Sequence, residues 1–329
     1  MKHRSFVVAS TVILFLVAGV VAGLALYSTV VVRASIPGLP EAVAYLPADA
    51  QAVFGMNVQK FVASPIYARF EQRHGDEFGK DLADFIARTG VDPRRDIRYI
   101  VAAGKPGGNH DGTGVVIAEG SFNPESIKSF IRSKAAPIEV PYNDATVLMI
   151  PESDGSKVEK GIAFLSQKEI ALGELGALKA VLDIRKGGKE SVLDNPTLGP
   201  LIKTLNPDEM FWFAGDASNI LSKAPTNTPL GGNIAAILHV FGTLNLTDAV
   251  DGIITVTAKD EVSAAKLADV ARGLVALGEL ASDQNPDLGE LLKGVNVQQS
   301  KDQIRLKVNF PIDLLEKLDK GKAAAKKIA

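Results

Sequence analysis

The sequence predicts an α+β protein: an N-terminal transmembrane helix followed by a duplicated, largely antiparallel sheet body with helices packed on it. Three observations lead there. An uncharged run of 28 residues, Ser5–Val32, opens the chain. Beyond it, short apolar runs alternate with amphipathic segments, the pattern of strands and helices sharing one core. Three groups of elements then recur in the same order in the two halves of the body.

The N-terminal run follows Met1-Lys2-His3-Arg4 and ends at Arg33. As a helix at ~1.5 Å per residue it would reach roughly 42 Å, enough for a hydrocarbon core of about 30 Å. Between Val7 and Leu26 only Ser10 and Thr11 are polar, so no polar face exists for a soluble core helix. The run exceeds a secretory h-region of about 7–15 residues, which favours an uncleaved anchor. A signal peptide cut after Ala25 or Ala34 is the alternative, because Gly23/Ala25 and Val32/Ala34 are small or compact pairs at the required spacing. Basic residues at the start place the N-terminus inside and the body periplasmic or extracellular, on a bacterial cytoplasmic membrane. Gly19 and Gly23, with Ala18 and Ala22 beside them, form a small-residue face suited to a transmembrane homodimer.

The expected organisation is a cytoplasmic start and anchor at 1–34, a Pro/Gly linker at 35–45, a first repeat at 46–186 and a second at 187–329 with a Lys-rich tail. Strands are expected at Ala52–Val58, Ile97–Ala103, Gly114–Gly120, Thr146–Ile150, Ile162–Ser166 and Ile170–Gly173. The second half offers Met210–Ala214, Thr243–Thr247, Gly252–Ala258, Val295–Gln299 and Gln303–Phe310. Asn123-Pro124-Glu125 and Lys259-Asp260-Glu261 are helix starts. In the second of these helices Ala264, Leu267, Ala268, Ala271, Leu274, Val275 and Gly278 share a stripe expected to face the sheet. The recurrence pairs Leu46-Pro47-Ala48-Asp49 and its strand with Leu205-Asn206-Pro207-Asp208 and its strand. It also pairs Val115–Gly120 with Ile253–Ala258, and Ile170–Leu172 with Ile304–Leu306, each followed by a helix.

LPADAQAVFGMNVQKFVASPIY at Leu46–Tyr67 and TGVDPRRDIRYIVAAG at Thr89–Gly104 resemble membrane-anchored hypothetical proteins of environmental bacteria. The resemblance implies an extracytoplasmic body and brings no activity with it.

Composition narrows the chemistry. There is no Cys, which removes thiolate nucleophiles, Cys-ligated zinc and iron–sulfur clusters. Outside the first 33 residues the body carries 33 bases and 38 acids, a net −5 that gives no general attraction to nucleic acid. The four histidines, His3, His74, His110 and His239, form no HExxH or i, i+4 pair. Gly187-Gly188-Lys189-Glu190-Ser191 and Gly75–Lys80 lack phosphate-loop spacing, and no GxSxG or GxGxxG occurs. No catalytic, cofactor-binding or metal-ligating residue is assigned, and no cofactor is expected.

Two candidate sites remain. Met210-Phe211-Trp212-Phe213 reads as a central strand buried on both faces; Trp212 and Phe213 with Phe54 and Met56 would line an apolar ligand groove if the two repeats enclose one. Arg94, Arg95 and Arg98 are candidate anion contacts, opposed by local neutralisation from Asp92 and Asp96. The expected function is that of a non-catalytic, membrane-anchored extracytoplasmic protein binding other proteins or envelope components. The alternative is a carrier or sensor of an apolar or amphiphilic small molecule held between the repeats.

Overall fold

A computed structural model describes residues 38–105, 113–151, 160–218, 231–280 and 286–314. The apolar run 5–32 with Ala18, Gly19, Ala22 and Gly23, His110 and the Lys-rich tail lie outside these residues. Among the described residues no helix is long and apolar enough to cross a membrane. The protein is α+β, with antiparallel pairing throughout. It divides into two compact units, residues 1–63 with 68–208 and residues 64–67 with 209–329.

In the first unit a 3-10 turn, Glu41–Tyr45, precedes β1 (Ala52–Asn57) and the short α1 (Val58–Val62). Then come α2 (Pro65–Thr89), α3 (Pro93–Asp96) and the hairpin β2 (Ile97–Lys105) and β3 (Thr113–Gly120). Next are α4 (Pro124–Lys134), β4 (Ile138–Tyr142), β5 (Ala145–Ile150), β6 (Lys160–Phe164) and β7 (Glu169–Glu174). Last are α5 (Leu175–Arg185) and α6 (Leu198–Thr204). The sheet order is β1-β2-β3-β7-β6-β5-β4. The helix starts follow their sequence signals: Asn57, Asp92 and Asn123 each accept a bond from a first-turn backbone N–H.

Both faces of this sheet are covered. Ile150, Ile162, Ile170 and Leu172 lie under Phe85 of α2 and Ile127 and Phe130 of α4, with the Phe85 and Phe130 rings edge to face at 5.3 Å. The opposite face carries Gly161, Ala163, Ala171 and Gly173, small residues that let α5 approach. That helix buries Ala177, Leu178, Val181 and Ile184. A Cβ on Gly161 would come 2.4 Å from Met149 Sδ and 3.2 Å from Leu178 Cδ1, so this position is close-packed.

In the second unit β8 (Phe211–Asp216) leads to a 3-10 turn at Gly231–Ala236 and the hairpin β9 (Ile237–Leu246) and β10 (Ala249–Ala258). Then come α7 (Glu261–Leu280), α8 (Pro286–Lys293) and the hairpin β11 (Val295–Ser300) and β12 (Gln303–Pro311). The order is β11-β12-β10-β9-β8. This is the order β6-β7-β3-β2-β1 of the first unit, which adds the hairpin β4–β5 beyond β6. Asp260 caps α7 by accepting from Ser263 N at 2.7 Å.

Four expectations change. Residues 187–208, expected in the second repeat, pack with the first unit: Val192 N donates to Leu46 O at 2.9 Å and Asn195 Nδ2 to Ala48 O at 2.6 Å. β8 is not buried on both faces, since Met210 and Trp212 are buried while Phe211 and Phe213 are half-buried. The α7 stripe seats only its first half: Ala264, Leu267 and Ala268 are buried against Ala258 and Ile304, whereas Leu274 is exposed. β4 was not anticipated, because its Pro141 and Glu139 are poor strand formers, and such residues are tolerated at a sheet edge.

Filling the space at Gly161 is the direct check of this packing. Gly161→Ala should lower stability by about 1–3 kcal/mol, the usual cost of overpacking. Urea unfolding should show this as a lower midpoint with an unchanged slope.

Candidate functional site

The chemistry gathered by the first unit lies where β3 and β7 pair beneath the N-terminal 3-10 turn. Glu119 and Glu169 are directly opposite each other across the two strands, and both are buried, at 4% and 6% exposure. Period-two alternation explains how they arrive there: Val115, Ile117 and Glu119 share one face of β3, as do Glu169, Ala171 and Gly173 on β7. Like charges in direct cross-strand register are destabilising, so each carboxyl needs a local counterweight.

Glu119 has two. Its Oε1 accepts the Ala42 backbone N–H at 2.6 Å, and its Oε2 accepts from Arg98 Nη2 at 3.2 Å. Ala42 lies in the 3-10 turn, so this carboxylate ties the turn to the sheet. Ala42, Val43 and Leu46 are wholly buried there. Glu169 is less well supplied. Its Oε2 accepts from Ser166 Oγ at 3.1 Å and lies 4.0 Å from Arg185 Nη2, an ion-pair distance too long for a hydrogen bond. Its Oε1 has no hydrogen-bond partner among the described residues. Burial pushes the Glu169 carboxyl above the usual carboxylate range; Glu41 and Glu119 push it the same way, against Ser166 and Arg185. Tyr45 donates its hydroxyl to Glu41 Oε1 at 2.7 Å. Burial, that hydrogen bond and the nearby carboxylates raise the Tyr45 hydroxyl well above its ordinary value. The Arg185 guanidinium lies over the Tyr45 ring, 6.0 Å from its centroid.

This arrangement favours a proton on the buried Glu169, while Glu119 anchors the 3-10 turn through Ala42. Among the described residues no group of three His, Cys, Asp or Glu is placed to hold a metal ion. Sequence reasoning missed Glu41, Tyr45, Glu119, Glu169 and Arg185 as a set. The available signal was Glu119, an acid at the core-facing position of the apolar run Val115–Gly120.

The three arginines singled out from sequence are all paired. Arg94 makes two bonds of 3.0 Å to Asp92 and a third to Glu71, and Arg95 reaches both oxygens of Asp96 at 2.8 and 2.9 Å. Those bonds hold the Asp92 and Asp96 carboxyls below their usual range. Arg98 serves Glu119. The aromatic candidates lie on β1 and β8: Met56 and Trp212 are fully buried, at 2% and 0% exposure, and Phe54 and Phe213 are half-buried. His239 lies on β9 in register with Asp216 and Thr257.

An apolar cavity of about 40 Å³ lies in the first unit between α2, α4 and the sheet, bounded by Phe85, Phe130, Ile150, Ile162 and Ile170. At its rim Lys134 pairs with Asp84 at 2.8 Å and stands 5.5 Å from the Phe130 ring centroid. A water needs roughly 10–15 Å³ on this scale, so the space suits a few atoms and not an acyl chain.

The carboxyl pair sets the sign of a pH effect. Because the native state holds a proton on Glu169 more tightly than the unfolded chain does, the penalty is absent below the unfolded pKa. It grows as pH rises through the native one. Glu169→Gln should therefore raise the melting temperature at neutral pH by a few degrees, because the amide carries no charge to bury. The gain over wild type should shrink as the solution is acidified towards the ordinary glutamate range, as followed by thermal melts across pH.

No family model matches the chain, and no curated protein matches it. Among solved structures, crystal form I of TP0453 is similar over 86% of this chain and 96% of that one. The identity is 9% and the TM-score 0.44, a likeness too distant to carry anything about function.

Proposed function

We propose that this chain is a non-catalytic, single-pass anchored extracytoplasmic protein whose body binds other proteins or envelope components. The observation that carries the reading is the 28-residue uncharged run Ser5–Val32 ahead of a folded α+β body. The basic start and the lone Arg33 orient the anchor with its N-terminus inside. Its Ala18, Gly19, Ala22 and Gly23 face supplies a homodimer contact within the membrane.

The body is read as an internal duplication, a strand followed by two hairpins built twice. The support is the shared strand order β1-β2-β3-β7-β6 and β8-β9-β10-β12-β11. A carrier needs a deep apolar cavity. Full burial of Met56 and Trp212 accords better with solid packing at these strands, and the cavity in the first unit is too small for a lipid chain.

Fractionation of a bacterium expressing the full chain tests the reading. The expected result is retention in membranes through an alkaline carbonate wash, with the body digested by protease added to intact spheroplasts. Recovery of a soluble chain lacking its first 25 or 34 residues would replace the anchor by a cleaved signal. Digestion only after spheroplast lysis would overturn the extracytoplasmic placement.

A further inference from the structure

The outer strand of the second unit, β11, ends the sheet order, and among the described residues no strand pairs with its free side. Its register with β12 is unbroken from Val295↔Val308 to Ser300↔Gln303. The closing turn is two residues long, with Lys301 at φ 53. Asn309 N donates to Gly294 O at 2.8 Å, which fixes the parity of the ladder. Residues 294, 296, 298 and 300 bond inward to β12, so Val295, Val297 and Gln299 turn their backbone donors and acceptors outward.

Exposed edges are normally protected by charge or proline. The outer strand of the first unit, β4, has both, Glu139 and Pro141. β11 reads Val-Asn-Val-Gln-Gln-Ser and has neither. One face of β11–β12 is also continuously exposed: Asn296, Gln298 and Ser300, then Gln303, Arg305 and Lys307. Arg305 is in register with Gln298, and Lys307 with Asn296. Among the described residues neither cation has an ion-pair partner, and neither strand contains an acid.

We propose that β11 is a docking edge for an extended protein segment with acids at alternate positions, which adds to the sheet as a further strand. Main-chain bonds to Val295, Val297 and Gln299 supply the pairing. Alternate acidic side chains fall on the face of Asn296 and Gln298, where the long side chains of Arg305 and Lys307 reach them across β11. The chain's own tail is the wrong occupant by charge, having Lys317, Lys320, Lys322, Lys326 and Lys327 against Glu316 and Asp319. The assignment rests on the binding role proposed above and names its surface and partner chemistry.

The test uses the purified full chain in non-ionic detergent and two fluorescein-labelled decapeptides, one alternating Thr with Glu and one alternating Thr with Lys. Anisotropy at low salt should show the acidic peptide binding about tenfold more tightly, with the difference fading as salt rises. Joint Arg305→Glu and Lys307→Glu substitution should invert the preference, and Val297→Pro should weaken both peptides by removing a central outward donor. Equal binding of the two peptides, no binding of the acidic one, or a preference unmoved by the charge reversal overturns the proposal. The readout does not depend on which side of a membrane the body occupies, so its failure is separable from failure of the anchoring reading.

Discussion

In each unit a non-local strand pairing joins the two hairpins, β3 with β7 in the first and β10 with β12 in the second. The hairpins on either side form from local turns; this pairing must close a loop that contains a helix, and in the first unit the inserted hairpin β4–β5 as well. Its entropic cost grows only slowly with loop length, which is why the first unit accommodates the insertion without changing its strand order. Once the pairing is made, the helix that crosses between the hairpins has one face of the sheet beneath it, and the apolar stripe of α4 or α7 has somewhere to go.

The buried carboxyls lie on that pairing in the first unit, so two like charges sit in register on the seam that joins its hairpins. Glu119 offsets its burial with a backbone N–H and a guanidinium. Glu169, with one oxygen unpartnered among the described residues, does not fully do so, and an unsatisfied buried polar atom costs more than an average hydrogen bond returns. That imbalance makes the stability of the seam sensitive to protonation of Glu169.

Charge elsewhere is mostly settled in pairs. The Asp92–Arg98 stretch looks like an anion site in sequence, yet Arg94 and Arg95 are occupied by neighbours one and two residues away, and Arg98 by a strand residue. Exposed pairs of this kind add little stability, but they do remove the cations from circulation. Arg305 and Lys307 differ because the alternation of β12 lines both up on a face with no acid within its own hairpin strands.

Strand and helix positions were largely legible in the sequence, since period-two alternation in Ala52–Asn57 and Asn-Pro starts such as Asn123-Pro124 act over a few residues. The long β9 was only half visible: His239, Thr243 and Asn245 interrupt its apolar positions, so its first half carries no strand signal. The seating of α7 was invisible, because a helical stripe tells which side is apolar and not how much sheet lies beneath it. The candidate site was the least legible part. By itself the sequence determined an α+β body of recurring elements behind an apolar N-terminal run, because those patterns arise from local periodicity. Only the tertiary structure decided that Glu119 faces Glu169, because that register follows from pairing strands fifty residues apart, and that Arg98 pairs with Glu119, because that contact depends on how β2 and β3 align.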